Sequence, residues 1–135
     1  MTSAETAARP SVVVADDNLF FSARIASALE ALGYHPLVVT TADALHAALA
    51  GGPAAAIVNL ASRRFDVVTA IHRAKTDAAT QTVPVLGFCG HADTARQDAA
   101  RTAGCDLVTT NGMVTSALPK LLTSLLAVPE PRPSR

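Results

Sequence analysis

The residues of this chain that could do chemistry follow short apolar runs. Two of them are adjacent aspartates, and neighbouring carboxylates supply the charged oxygen ligands that a divalent cation such as Mg2+ prefers. The side-chain amide of an asparagine, by contrast, is no nucleophile, because the lone pair of its nitrogen is delocalised into the carbonyl. A cysteine thiol offers only a weak S–H donor. The full set is Asp16, Asp17, Asn59, Cys89 and Asn111.

Five apolar runs organise the chain, and none of them alternates apolar with polar side chains. Continuous β-branched runs of this kind predict strands that are buried on both faces, as in parallel sheets. Helical stretches separate them; in the first, Phe21, Ile25 and Leu29 recur on one face. The predicted strands are Val12–Ala15, Leu37–Val39, Ala54–Val58, Val83–Leu86 and Leu107–Val108, and the predicted helices cover 18–32, 42–50, 65–79, 92–103 and 118–128.

Strand and helix therefore alternate five times, which predicts an open parallel sheet with helices on both faces. In such sheets the functional residues lie in the crevice at the carboxyl ends of the strands. The chemistry-bearing residues are expected to meet there. The folded domain is predicted to cover residues 11–127, with a disordered tail over 1–10 and a proline-rich tail over 128–135.

Composition excludes several classes of protein. Hydrophobic residues make up 50% and charged residues 16% of the 135 residues, which is typical of one globular domain. The formal net charge is zero, so the basic excess of a nucleic-acid-binding protein is missing. The sequence has no bilayer-length apolar run and no signal-peptide core, so we expect a cytoplasmic protein away from membranes. We expect its two cysteines, Cys89 and Cys105, to be reduced thiols without a disulfide.

Three segments carry a resemblance to a known family. VVVADDNLFFSARIASALEALGY, which starts at Val12, is similar to the first strand, acidic pair and first helix of response-regulator receiver domains, the phosphorelay modules of two-component signalling. PVLGFCGHAD, which starts at Pro84, resembles their fourth strand and its loop, and Gly104 in AGCD precedes their fifth strand. The resemblance runs from about Val12 to Ala127. It implies an α/β, flavodoxin-like (βα)5 fold, a doubly wound parallel sheet with strand order 2-1-3-4-5.

The resemblance also assigns roles to the crevice residues. Receivers carry an aspartate that accepts a phosphoryl group from a histidine kinase, an acidic pair that holds Mg2+, a Ser or Thr, and a Lys. The acidic pair is present here as Asp16 and Asp17, whereas Asn59, Cys89 and Asn111 stand at the other three positions. The chain therefore resembles a degenerate receiver, or pseudo-receiver. It is expected to have no catalytic residue and no cofactor, with at most weak Mg2+ binding at Asp16 and Asp17.

Two further positions depart from the receiver pattern. Val108 stands at the position of the aromatic switch residue in the fifth strand, and Arg63 at that of the proline four residues past the acceptor. Because the lysine is missing, we expect the Arg63 guanidinium to reach the acidic pair in a charge-assisted contact.

Protein partners are expected on two surfaces. In receivers the face formed by the fourth helix, fifth strand and fifth helix docks partners or a second copy, so a homodimer is one expected assembly. An exposed aromatic near the crevice is a further docking candidate. The residues predicted for partner binding are Arg96, Arg101, Asp106, Lys120 and Phe20.

The leading interpretation is a stand-alone pseudo-receiver, not an enzyme, that signals by phosphorylation-independent protein–protein interaction. One alternative is a phosphorelay receiver that uses Asp16, Asp17 or Asp66 as its acceptor, or that keeps a residual Mg2+ site. A second alternative is a flavodoxin-like small-ligand binder or enzyme, although no G-x-G-x-x-G or G-x-x-x-x-G-K-[ST] phosphate loop follows any strand.

Overall fold

The computed structural model describes residues 9–127 and contains one parallel sheet of five strands with the order β2-β1-β3-β4-β5. The predicted α/β fold and its strand order are therefore confirmed. The predicted tails fall largely on residues 1–8 and 128–135, which lie outside the described residues. The strands are Ser11–Ala15 (β1), His35–Val39 (β2), Ala55–Asn59 (β3), Val85–Cys89 (β4) and Leu107–Thr110 (β5).

Helices cover both faces of the sheet, and a separate core lies beneath each face. On one face, side chains from β1, β3 and β4 pack against three helices, and on the other face they pack against the remaining three. The central strands are buried because both of their faces contribute to a core. The helices of the first face are Ala42–Ala50 (α2), Val67–Thr76 (α3) and Thr94–Ala103 (α4), and those of the second are Leu19–Ala31 (α1), Asn111–Ser116 (α5) and Leu118–Leu126 (α6).

Side-chain caps begin five of the six described helices. In each case a side-chain oxygen of the residue that precedes the helix accepts a hydrogen bond from the main-chain N–H three residues later. Such a cap satisfies a donor that the helix itself cannot pair, and it fixes where the first turn begins. The capping residues are Asn18, Thr41, Asp66, Asp93 and Thr110.

Most of the predicted elements differ from the observed ones by one or two residues at an end, and three differences are larger. The helix predicted over 65–79 covers Val67–Thr76, because Asp66 caps it at one end. The fourth strand runs from Val85 to Cys89, so Cys89 belongs to the strand. The helix α5 was not predicted; it begins directly after β5 and ends at Ser116, because the φ of −135° at Ala117 breaks the helical path before α6.

None of the described helices is long and apolar enough to cross a membrane.

Candidate functional site

The crevice lies where the strand order reverses, at the carboxyl ends of β1 and β3. These two strands are paired, with Ala15 opposite Val58, so the residues that follow them are neighbours. The strand β4 adjoins β3, with Asn59 opposite Phe88, and Cys89 stands opposite Thr110 of β5. The sheet therefore brings the five predicted crevice residues to one edge, and three of them (Asp16, Asn59 and Cys89) are buried.

Asp16 and Asn59 form the buried centre of the site. Asn59 Nδ2 donates to Asp16 Oδ1 at 3.0 Å, and Asn59 Oδ1 accepts from the main-chain N–H of Ala61 at 2.9 Å. These partners determine the orientation of the amide, because an ionised carboxylate only accepts and a main-chain N–H only donates. Asp16 Oδ1 also accepts from the N–H of Asn18 at 2.8 Å. Asn59 therefore joins the ends of β1 and β3 with no charge of its own.

The second oxygen of Asp16 is different. Oδ2 is buried and has no hydrogen-bond partner among the described residues. Burial raises the pKa of Asp16 above its usual value, against the hydrogen bonds from Asn18 and Asn59 that lower it, and the adjacent Asp17 charge raises it further. The centre of the crevice therefore favours a neutral carboxyl more than an exposed aspartate does.

Asp17 is held by the main chain of the loop between β3 and α3. Its Oδ2 accepts hydrogen bonds from the N–H groups of Arg63, at 2.6 Å, and Arg64, at 3.1 Å. Hydrogen bonds to an ionised acceptor are among the stronger ones in proteins. This pair of bonds fastens the loop after β3 to the loop after β1.

The expected contact of the Arg63 guanidinium with the acidic pair is wrong. The side chain of Arg63 is exposed and makes no ion pair with any described carboxylate. The contact with Asp17 is made by the main-chain N–H instead. A backbone donor is already positioned by the fold, whereas a long arginine side chain would lose rotamer freedom to reach the same carboxylate.

Cys89 is fully buried at the end of β4, and its Sγ lies 3.8 Å from the main-chain oxygen of Asp93. Burial raises the pKa of the Cys89 thiol, and the nearby Asp93 charge adds to the rise. Since the thiolate is the reactive form, this environment disfavours nucleophilic or redox chemistry at Cys89. Neither Cys89 nor Cys105 forms a disulfide in the structure.

Asn111 and Val108 complete the predicted pocket. Asn111 is the first residue of α5 and is half-buried, and its side chain forms no hydrogen bond within the described chain. Val108 lies in β5 and packs, partly buried, against the core beneath α3 and α4. Neither side chain touches the Asp16–Asn59 pair through a hydrogen bond. The structure therefore centres the polar network on β1 and β3 rather than on β5.

The crevice residues do not fit a tight Mg2+ site. Mg2+ requires octahedral oxygen ligands and binds through carboxylates. Here Asn59 directs its amide nitrogen to Asp16, and Asp17 Oδ2 already accepts two N–H groups. Asp16 Oδ2 is buried without a partner, yet it is a single ligand. Within residues 9–127 no cluster of three or more His, Cys, Asp or Glu side chains could hold a metal ion.

The charged residues predicted for partner binding are engaged to different degrees. Arg96 pairs with Asp93 and Arg101 with Asp98, each along α4. Lys120 is exposed on α6 and has no ion-pair partner in the part of the chain that the structure describes. Asp106 Oδ2 binds Lys75 Nζ at 2.9 Å and the N–H of Val85 at 2.8 Å, and a role of Asp106 in partner binding stays a prediction. These bonds lie at the opposite edge of the sheet and serve the fold.

Phe20 lies at the start of α1, beside the crevice, and is 67% exposed. The guanidinium carbon of Arg24 lies 5.5 Å from the centre of its ring, within cation–π range. Leu19 is 78% exposed next to it and was not among the predicted residues. The sequence pattern indicates this exposure, because positions 19 and 20 fall outside the apolar stripe of a helix whose buried face carries Ile25 and Leu29.

No protein-family model matches the chain, and no curated protein matches it. Several solved structures are similar to the chain. The receiver domain of the sensor histidine kinase PA1611 from Pseudomonas aeruginosa PAO1, which has a magnesium ion in its active-site cleft, is 16% identical and has a TM-score of 0.78; the match covers 88% of this chain and 98% of that one. The receiver domain of NtrX from Brucella abortus is 17% identical, with a TM-score of 0.77, over 87% of this chain and 99% of that one.

A third similar structure is the beryllofluoride-activated dimer of the NtrC4 receiver domain. It is 17% identical and has a TM-score of 0.73, and the match covers 86% of this chain and 95% of that one. At these identities the likeness concerns the fold. The chain has the fold of response-regulator receiver domains, and the match spans nearly the whole length of each of them.

Proposed function

We propose that this chain is a pseudo-receiver, a non-enzymatic module of two-component signalling that acts by protein–protein contact without being phosphorylated. The observation that carries the proposal is the bond from Asn59 Nδ2 to Asp16 Oδ1, at 3.0 Å. In a receiver the position of Asn59 holds the phosphoryl acceptor. Here it holds an amide that is no nucleophile and whose two polar atoms are already bonded.

The hydrogen bonds around the acidic pair support a crevice with one resting state. Asn59 joins β3 to Asp16, and the N–H groups of Arg63 and Arg64 join the following loop to Asp17. Neither link requires a metal ion or a phosphoryl group. The binding surface of the protein is accordingly presented at all times. We place the protein in the cytoplasm, where both of its free thiols stay reduced.

For the docking surface, the structure favours the mouth of the crevice over α4. The arginines of α4 are paired with aspartates along the helix, whereas Arg24, Arg63 and Arg64 are exposed and form no ion pair with a described carboxylate. The Arg24 guanidinium carbon lies 5.5 Å from the centre of the exposed Phe20 ring, and the main-chain N–H groups of Arg63 and Arg64 bind Asp17, which precedes the exposed Leu19 by two residues. Aromatic and arginine side chains contribute most to binding energy in protein interfaces. We infer that the partner is a protein segment that combines apolar and acidic side chains.

The central test is chemical. The protein is incubated with Mg2+ and either acetyl phosphate or beryllofluoride, and its mass and amide NMR spectrum are recorded. We expect no phosphoryl mass gain and no shifts around Asn59 or Val108. The NtrC4 receiver domain, which beryllofluoride activates, is treated in parallel and controls for that reagent. Stoichiometric phosphorylation of this chain would contradict the proposal and favour the alternative in which Asp16, Asp17 or Asp66 accepts the group.

The docking surface has its own test. An acidic amphipathic peptide is titrated into the labelled protein, and self-association is followed by sedimentation. We expect Phe20→Ser with Arg24→Ala to weaken peptide binding, while Arg96→Glu with Arg101→Glu leaves it unchanged. The reverse result would assign docking to α4, as the family resemblance implies. Loss of self-association in either double variant would identify a second copy of the chain as the partner.

A further inference from the structure

The junction between β5 and α5 contains the dipeptide Asn111–Gly112, and this is the one asparagine of the three in the sequence that precedes a glycine. The Asn111 side chain is half-buried and forms no hydrogen bond within the described chain. Gly112 is exposed, and a Cβ atom added to it would meet nothing within 4 Å. The side-chain amide is therefore free of hydrogen bonds, and no side chain at position 112 shields the next main-chain nitrogen.

We propose that Asn111 is a site of spontaneous, one-way covalent modification by deamidation. The main-chain nitrogen of Gly112, on losing its proton, attacks Cγ of Asn111, and the side-chain amide leaves as ammonia. The product is a five-membered succinimide. Water then adds to one of the two succinimide carbonyls and opens the ring, which leaves aspartate or isoaspartate at position 111. No oxidant, reductant or enzyme is required, and water is the sole co-reactant.

The structure leaves the attacking group available. Gly112 lies in the first turn of α5, where main-chain N–H groups have no partner inside the helix. Thr110 Oγ1 accepts the capping hydrogen bond from the N–H of Met113, so the cap does not engage the N–H of Gly112. The helix has six residues, and so short a helix opens readily at its ends. Opening of its first turn gives the backbone the freedom that ring closure needs.

The other two asparagines are protected, each in its own way. At Asn59 both polar atoms of the amide are hydrogen-bonded, and the N–H of the following Leu60 donates to Phe88 O at 2.8 Å. At Asn18 the amide oxygen caps α1 by accepting from Phe21 N–H, and the following residue carries a leucine side chain beside the attacking nitrogen. The same chemistry is therefore obstructed at both sites.

The modification changes the crevice edge of β5. A neutral amide becomes a carboxylate, and this adds a negative charge to an edge that already carries Asp16 and Asp17. Isoaspartate also lengthens the main chain by one methylene between β5 and α5. Because neither product reverts to asparagine by itself, the modified fraction of a protein sample rises with its age. The inference does not depend on the signalling role proposed above.

The test is to hold the full-length protein at mildly alkaline pH and to follow amide loss by peptide mapping with mass spectrometry. Isoaspartate is quantified by enzymatic methylation. We expect Asn111 to lose its amide at least about tenfold faster than Asn59 or Asn18, a ratio that corresponds to about 1.4 kcal/mol in activation free energy. The rate at Asn111 should rise with pH, since the attacking nitrogen must lose its proton.

Gly112→Ala is the matched control, because the added methyl group has open space around it and Ala favours the helix. It should slow the loss at Asn111 while circular dichroism shows an unchanged fold. Equal rates at the three asparagines, or a rate at Asn111 that Gly112→Ala does not change, would overturn the inference. Chemically unfolded protein provides the second measurement: there Asn59 and Asn18 lose the protection of the fold and should react faster than they do in the native state.

Discussion

The two edges of the sheet hold their carboxylates in opposite ways. At the edge where the strands begin, Lys75 Nζ lies 2.9 Å from Asp106 Oδ2 and 2.9 Å from the main-chain oxygen of Val83, and the same carboxylate accepts from Val85 N–H. A cation and an anion there fasten α3 to the start of β4. At the edge where the strands end, Asp16 and Asp17 are held by neutral donors alone, namely a side-chain amide and main-chain N–H groups.

This difference shows how the crevice can lack a lysine and remain ordered. An ion pair compensates a buried charge by attraction, whereas a set of N–H donors does so by local dipoles that the fold has already oriented. The first solution needs a second charged residue, and the second needs only that loops approach closely. The cysteines add a further contrast, because burial raises the pKa of Cys105, at the starting edge, to about 12. Neither edge offers a reactive thiolate.

The largest expected effect is at the starting edge. Asp106→Ala removes the partner of Lys75 and leaves the N–H of Val85 without its acceptor, so we expect the free energy of unfolding to fall by about 3 kcal/mol. Urea denaturation measures it. Asp98→Ala, which removes the exposed partner of Arg101, is the matched control and should cost about 0.5 kcal/mol or less. Equal losses in the two variants would remove the contrast between a structural and a surface ion pair.

The next effect concerns the ending edge. Asn59→Asp places a third carboxylate beside Asp16 and removes its amide donor, so we expect a loss of about 2 kcal/mol near neutral pH. The loss should shrink as the pH falls and the carboxyl groups take up protons. Urea denaturation at neutral and acidic pH tests this, with Asn18→Asp as the matched control, because it makes the same exchange at an exposed helix cap.

The Asn59→Asp variant should also fail to switch. When beryllofluoride and Mg2+ are added to it, the amide resonances around Val108 should not move. Movement there would show that one carboxylate restores switching.

Two substitutions at Arg63 distinguish the stability contribution of its main-chain N–H from that of its side chain. Arg63→Pro removes the N–H that binds Asp17 Oδ2 and should cost about 1.5 kcal/mol, whereas Arg63→Ala keeps this donor and should stay within about 0.5 kcal/mol of the original protein. Urea denaturation again gives both values. A large loss in Arg63→Ala would mean that the guanidinium stabilises the crevice after all. NMR titration with Mg2+ adds a second measurement. If only the proline variant binds Mg2+ more tightly than the original protein, the Arg63 N–H competes with the metal ion for Asp17.

The smallest effect is a pH dependence at Asp16. Burial raises the pKa of Asp16 in the fold, so the folded state keeps its proton to higher pH than the unfolded chain does. Stability is therefore lost as the pH rises from the unfolded-chain pKa through the folded one. Asp16→Asn cannot titrate, so between acidic and neutral pH the original protein should lose stability relative to it. Parallel stability curves for the two proteins would contradict this prediction.

Sequence patterns predicted most of the fold because their signals are local. The apolar runs of β1 and β3 and the recurrence of Phe21, Ile25 and Leu29 reflect burial within a few residues of each other. The helix α5 escaped prediction, since a six-residue helix is too short to show an apolar period. The position of Cys89 at the end of β4 was missed by a few residues for the related reason that strand boundaries have weak signals.

By itself, the sequence determined the parallel α/β architecture and which residue types arrive at the crevice, because both depend on residue order and on burial patterns within single elements. Only the tertiary structure decided which groups bond there. Asn59 meets Asp16 across 43 positions and the N–H of Arg63 meets Asp17 across 46. A main-chain donor is the same at every residue but proline, so nothing in the side-chain sequence marks the one that a folded loop brings to within 3 Å of a carboxylate.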